Sequence, residues 1–585
     1  MGDAAFYWCN YPTRVREKKN FEVRGTGYKF KRTFASISIF LAPACALAQV
    51  PPPDAGRILQ DTQPQPQRAP APALPPIQAP AQPRAPAPPA GSGDVRVKVT
   101  HFVFSGNSAL SSEELSLAVA EWAGRALSFG DLIQAVEAVE ARYKAAGYFL
   151  AQGILPPQKI RDGAIEIAIS EGRMGEGRLE GESRVSPDVV HGYLDPLTKG
   201  TPLALSVLER QVLLINELAG VRATLDLQAG DAEGSTDVVL ALQPDAAVNG
   251  RLDANNHGTP ATGEKRFSLN LTGNSLLNLG ERITATALGT DTGKLTSYNF
   301  RGELPVGGNG WRLSAAASRA EYSLGGAFSA LQASGQADSW RVGAAYPFIR
   351  GRNANLKLTV EADTTRLSDK FRAANTETDK KSRGLTATTS GDWLDDLMGG
   401  GVSRIDLALR AGRLSLDPTS AAQDARPAGL GAAGSFTKVT LSAQRQQTLG
   451  QTLSLQAQLT WQVAGKNPDS SEKLSLGGPL TMPGYANGEA IGDSGKLLKL
   501  SLRWQASPDL ALSAFTDAAS LRLAHEPLPT AARNSKRLSD VGIGADWVIG
   551  KGFNANAILA WAGKEAPNPA ENDKPRFWLS AGYAW

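Results

Sequence analysis

Catalysis needs a nucleophile beside a base, a cradle for phosphate, or clustered metal ligands, and the sequence imitates the first two. Gly492-Asp493-Ser494-Gly495 resembles the loop that presents the serine of trypsin-like proteases. Such a serine needs a histidine base oriented by a carboxylate, and none of the four histidines among 585 residues lies in a matching context. Gly289-Thr290-Asp291-Thr292-Gly293-Lys294 has glycines and a lysine, but lacks the four-residue spacing of a phosphate loop and follows no buried parallel strand. It reads as a turn. Four scattered histidines and two cysteines give no metal-ligand spacing, and a net charge of +4 spread along the chain gives no nucleic-acid footprint. No enzyme activity, metal or cofactor is expected. What remains conspicuous is LSLGGPLTMPGYANGEAIGDSG, Leu474 to Gly495, in which six of twenty-two residues are glycine. Connections this long without secondary structure of their own are functional or disordered, so the question is what this one connects.

Beyond Pro244 the chain alternates apolar and polar residues. Leu453, Leu455, Ala457, Leu459 and Trp461 interleave with Ser454, Gln456, Gln458 and Thr460, and the same pattern recurs at Leu498–Trp504, Phe553–Trp561 and Phe577–Trp585. Segments of about ten residues with one apolar and one polar face mark outer-membrane barrels. A soluble β-sandwich also alternates. Here, however, the last strand ends the protein with Phe577, Tyr583 and Trp585 on its apolar face, as barrels do for recognition by their insertion machinery. Residues 245–585, at roughly twenty residues per strand and connection, predict about 16 strands and an aqueous interior.

The preceding region predicts two α+β modules in tandem, 95–173 and 174–244. In the first, Leu132, Val136, Val139 and Tyr143 recur at helical spacing after a Ser128 cap, and strands are expected at Tyr148–Leu155 and Ala164–Ser170. In the second, Leu208, Val212 and Ile215 share a helix face that Gly220 ends, and strands are expected at Arg222–Gln228 and Asp237–Leu242. Further upstream, 49–63 holds a short helix candidate capped by Asp54, and 64–94 is a spacer dominated by proline, alanine and glutamine. In polyproline geometry that spacer reaches about 90 Å, more than a bilayer's thickness. Residues 1–48 read as an extension and an export signal: the basic Lys29-Phe30-Lys31-Arg32, the apolar Phe34–Leu41, and Ala46-Leu47-Ala48 as cleavage site. Both cysteines, Cys9 and Cys45, would leave with it, which suits the oxidising periplasm.

Several stretches carry a family resemblance. GYFLAQGILPPQKIRDGAIEIAISEGR (Gly147–Arg173), LERQVLLINELAGVRATLDLQAGDAEGSTDVVLAL (Leu208–Leu242), YPFIRGRNANLKL (Tyr346–Leu358) and the terminal RFWLSAGYAW resemble, in order, the two POTRA domains and the barrel of two-partner secretion transporters. These are the ShlB/FhaC type, related to BamA-like barrel assembly proteins. The resemblance implies that Leu474–Gly495 is the sixth extracellular loop, folded back into the barrel. It further implies a loop tip at Pro483, Gly484 and Tyr485, with Pro483 where the family usually has arginine. The acidic strand partner of that arginine falls on Asp517, in Phe515-Thr516-Asp517-Ala518-Ala519, with Ala519 replacing the family's glycine. A buried carboxylate without its cation is costly, so either another base substitutes, with Arg503 on the polar face of the preceding strand a candidate, or the loop is held differently.

The implied function is an outer-membrane pore. Its POTRA domains would recognise an unfolded β-helical exoprotein in the periplasm, around Tyr148, Leu155, Ile165 and Ile167, and the barrel would pass it outward without nucleotide hydrolysis. The helix at 49–63 would plug the lumen. The implied surroundings are outer-membrane lipid, the barrel assembly machinery for insertion, and no nucleic acid. A BamA-like insertase is the alternative, although assembly proteins usually carry more modules and no plug. A passive porin would leave both modules without work.

Overall fold

The computed structural model describes residues 52–63, 96–563 and 574–585, except 428, 530 and 532. The expected export signal and proline-rich spacer lie outside the described residues.

In the first module, Ser111 and Ser128 each close a capping box, with Glu114 and Asp131, on helices Ser112–Ala118 and Phe129–Ala145. The long helix buries Leu132, Val136, Val139 and Tyr143 against the alternating Ile165, Ile167 and Ile169 of strand Ala164–Ser170. That strand is central: His101–Ser105 pairs with it in parallel on one side and Gln152–Ile154 antiparallel on the other. A carboxylate organises the module's far end. Glu171 accepts from the backbone of Ala109 at 2.7 Å and from Tyr143 Oη at 2.9 Å, and is also bonded to Ser108.

The second module repeats the plan with helices Pro187–His191 and Leu205–Ile215 over a sheet ordered Arg173–Gly181, Ser235–Pro244, Val221–Ala229. Leu208, Val212 and Ile215 are buried in its core, as their spacing predicts. The edge strand Arg173–Gly181 is not evident in the sequence, because its glycines and charges interrupt the alternation. Arg173 joins the modules by donating to Ser108 Oγ at 2.9 Å and to the Gly200 carbonyl at 2.8 Å.

Sixteen antiparallel strands close a barrel, running in chain order from Val248–Asn255 to Arg576–Ala584, with the last pairing back to the first. Strands lengthen from 8 residues in the first to 20 in the eighth, Thr376–Asp395. Alternate side chains face opposite ways. Trp340, Val342, Leu385 and Leu409 point outward and are more than half exposed, while Ser339, Thr365, Leu367 and Asp369 point inward and are buried. The second module docks on turns at one rim of the barrel. Arg210 donates to the Pro347 carbonyl at 2.8 Å, and Glu217 pairs with Arg312 at 3.1 Å and Arg350 at 2.5 Å.

Candidate functional site in the barrel lumen

The glycine-rich stretch joins the eleventh strand, Leu453–Ala464, to the twelfth, Ser494–Ser507, and folds against the inner wall. Leu474–Leu476 and Ala490–Gly492 pair as a miniature hairpin. Its apolar residues Leu476, Met482 and Tyr485 are buried against the inward-facing Leu497, Ala519, Leu521 and Leu538. Close approach explains the glycines. A Cβ on Gly484 would lie 2.7 Å from Asp540 Cβ and 2.9 Å from the Ala562 nitrogen, and Gly477 holds φ +110°, a conformation that side chains disfavour.

The loop tip, uncharged itself, is held by hydrogen bonds. Gly484 N–H donates to Asp540 Oδ2 at 2.8 Å, Tyr485 Oη donates to the Ser539 carbonyl at 2.9 Å, and Trp578 Nε1 donates to the Pro483 carbonyl at 2.8 Å. Asn487 donates to the His257 carbonyl at 2.6 Å, so the tip reaches residues beside both the first and the last strand. Asp517 faces Asp540 directly across the thirteenth and fourteenth strands. Neither Asp517 oxygen has a hydrogen-bond partner among the described residues, and the nearest base is Lys499, at 3.8 Å. Arg503 does not substitute for the missing arginine. It pairs with Asp546, further along the wall, because its place four residues beyond Lys499 carries it away from Asp517. Phe515 shares the inner face and fills the space left by Gly542.

The loop base is ionic. Glu472 accepts from Arg410 Nε at 2.9 Å and from Lys438 Nζ at 2.6 Å. Arg410 and Lys438 are cross-strand neighbours, so the carboxylate separates two like charges. Arg410 also reaches over the eighth strand to Asp363, with Nη2 to Oδ2 at 2.9 Å. Gly384 makes room for this reach, since a Cβ there would meet the guanidinium at 2.7 Å. Lys473 and Asp493 pair across the loop's neck at 2.5 Å. The sequence reading missed all of these residues. The available signal was a row of charged residues at inward positions within strands.

The turn just before Glu472 also grips the helix Ala55–Thr62. Asp54 caps that helix by accepting from Arg57 N at 3.0 Å, and its other oxygen accepts from Ser470 Oγ at 2.6 Å. Lys380 lies 3.4 Å from Asp54 and 3.0 Å from Asp469. The inward-facing Asp369 accepts from Ala55 N at 2.8 Å, and Gln60 donates to the Ser471 carbonyl at 2.6 Å. Ala55, Ile58 and Leu59 bury an apolar face against Leu295, Tyr322 and Leu367.

The sequence profile of the haemolysin secretion/activation proteins ShlB/FhaC/HecB matches residues 234–526, and that of the ShlB-type POTRA domain matches 97–172. The chain belongs to the ShlB/FhaC/HecB family. As a member it is an outer-membrane β-barrel transporter for the secretion of a partner protein, with POTRA recognition in the periplasm. The heme/hemopexin transporter protein HuxB of Haemophilus influenzae strain 86-028NP is 26% identical over 486 residues, covering 81% of this chain and 84% of HuxB. The outer membrane transporter CdiB of Escherichia coli O6:K15:H31 is 29% identical over 183 residues, 31% of each chain. The structures of CdiB from Escherichia coli and from Acinetobacter baumannii share the fold. The first has a TM-score of 0.70 at 20% identity, covering 86% of this chain and 93% of CdiB. The second scores 0.62 at 15% identity, covering 87% and 94%.

For a ShlB/FhaC/HecB protein, the rim that receives the second module is the periplasmic one. In the first module Ile165 and Ile167 are core residues of the central strand, 2% and 0% exposed, so their side chains offer no cargo surface. Tyr148 and Leu155 are partly buried against the same core. At the barrel seam Phe577 and Trp585 are exposed on the outer face. Tyr583 stacks with Trp585 at 5.8 Å, and Trp585 exchanges backbone hydrogen bonds with Gly250 of the first strand at 3.0 and 3.1 Å.

Proposed function

We propose that this transporter captures an unfolded exoprotein on an open strand edge of the first module and passes it through the lumen once helix Ala55–Thr62 leaves, without hydrolysing nucleotide. The observation that carries this reading is the double occupancy of the lumen. The folded-in loop and the helix meet the same Asp469–Glu472 turn, and the helix is held by a handful of polar contacts around Asp54 and Lys380. An eight-residue helix of this kind is a removable plug. At the entrance, edge strand His101–Ser105 has one side without a pairing strand among the described residues and exposes Val103 by 45%, which suits β-augmentation by an extended chain. Recognition is therefore assigned to this edge, with Tyr148 and Leu155 supporting it from the core. Phe577, Tyr583 and Trp585 form the signal read on insertion by the barrel assembly machinery.

Deleting Pro53–Gln63 is expected to raise single-channel conductance in planar bilayers. Unchanged conductance would remove the plug from the mechanism. Continued secretion of the partner after deletion of 96–242 would sink the recognition role.

A further inference from the structure

The outer wall carries a basic patch that neither the lumen nor the modules use. On the seventh, eighth and ninth strands, Ala354–Phe371, Thr376–Asp395 and Gly401–Leu416, the register sets outward side chains in rows. Val342, Ala362, Leu385 and Ala411 form one row. The next holds Trp340, Thr364, Arg383 and Arg413, and the one beyond it Asp338, Arg366, Lys381 and Ser415. Arg366, Lys381, Arg383 and Arg413 thus stand together on one face, and none has an ion-pair or hydrogen-bond partner among the described residues. The acids on that face are Asp338, which receives Gln336 at 2.5 Å and lies 3.9 Å from Arg319, and Asp379 and Asp417 one row further along the strands. Four bases against three acids leave a small positive surplus, gathered where Arg383 and Arg413 are direct cross-strand neighbours and repel each other unless an anion lies between them.

Its height specifies the anion. The seventh strand starts at the periplasmic rim, where Glu217 holds Arg350, and runs away from it, so Arg366 lies towards the extracellular end. Two residues per row put Arg366 and Lys381 roughly 7 Å along the strand beyond Trp340. That is headgroup level, just above the apolar belt. Beneath the guanidinium groups a groove of about 720 Å³ runs between strands, lined by Ala362, Ala411, Thr437 and Gly465 with Arg383 and Arg413 at its head. Small side chains there leave room for an acyl chain under a phosphate.

We propose that this patch binds the phosphorylated glycolipid of the outer leaflet, with Arg383 and Arg413 holding one phosphate and Arg366 and Lys381 another. Arginine suits the task because its planar fork meets phosphate oxygens in pairs.

The test uses the purified full chain in neutral detergent, with thermal midpoint followed during titration of bisphosphorylated lipid A. The midpoint is expected to rise, and the apparent affinity to fall roughly tenfold in R383Q/R413Q as charge-assisted bonds are lost. Lys381→Gln alone should give a smaller loss, and Arg319→Gln, already ion-paired, none. Fully dephosphorylated lipid A should leave the midpoint unmoved. Wild-type affinity in both R383Q/R413Q and K381Q, an equal loss in R319Q, or an equal response to phosphatidylglycerol at matched charge would overturn the assignment.

Discussion

The two ends of the folded-in loop are anchored by opposite chemistry. At the base, Glu472 meets Arg410 and Lys438, and Arg410 passes the contact on to Asp363. At the tip, Pro483 offers no charge, and the buried Asp517 and Asp540 face each other with Lys499 at 3.8 Å from Asp517 as the nearby base. Ionic anchorage therefore sits at the end where resemblance to the family did not place it. The lesson is that a loop with an uncharged tip can take its ionic hold from Glu472, eleven residues before Pro483, where the wall supplies the bases.

The largest break in this contrast comes from Arg410. Arg410→Ala leaves Asp363 and Glu472 without their shared guanidinium, and removing one partner of a buried pair costs about 3 to 5 kcal/mol. The denaturation midpoint of the purified protein in micelles should fall accordingly, whereas Pro483→Ala should leave it unmoved. Equal effects of the two would mean that base and tip contribute alike.

A third buried carboxylate calibrates the pair. Burial pushes the carboxyl of Glu171 up, but hydrogen bonds from Ala109, Ser108 and Tyr143 outweigh burial and hold it below the ordinary glutamate value of 4.5. Its stabilisation is fully present above that value and is lost as pH falls through the lower folded one. Glu171→Gln should therefore weaken protection of the Ile167 amide by about 2 kcal/mol at pH 6, after correction for intrinsic exchange. The deficit relative to wild type should shrink on acidification. A pH-independent deficit would mean that Glu171 acts by shape alone.

Much of the architecture was legible because it rests on local rules. Helical spacing placed Leu132, Val136, Val139 and Tyr143 on one face, Asp54 announced its helix, and alternation gave the barrel. The lumen was less legible. Asp517 could be singled out by resemblance, but its neighbour Asp540 lies twenty-three residues on and meets it only through strand register. Arg503 has the right charge and the right face, yet two full repeats along a strand separate it from the position opposite Asp517. Glu472 looked like an ordinary loop acid, and only closure of the barrel brings Arg410 and Lys438 to it. Ile165 and Ile167 show the opposite error, because the alternation that identifies a strand also buries its apolar residues.

The smallest expected effect tests the tip itself. Tyr485 is 1% exposed and packs its ring among Met482, Leu497 and Leu538, while its hydroxyl donates to the Ser539 carbonyl at 2.9 Å. Tyr485→Phe keeps the ring and removes the donor, a loss of about 1 kcal/mol for a neutral hydrogen bond. If hydrogen bonds of this kind hold the tip, this small loss should be matched by faster protease nicking within 477–488 and by more frequent brief openings in single-channel records. Glu472, on its own ion pairs, should keep the base of the loop in place. Nicking that instead begins at 466–473 would show that base and tip release together, and the distinction between them would fail.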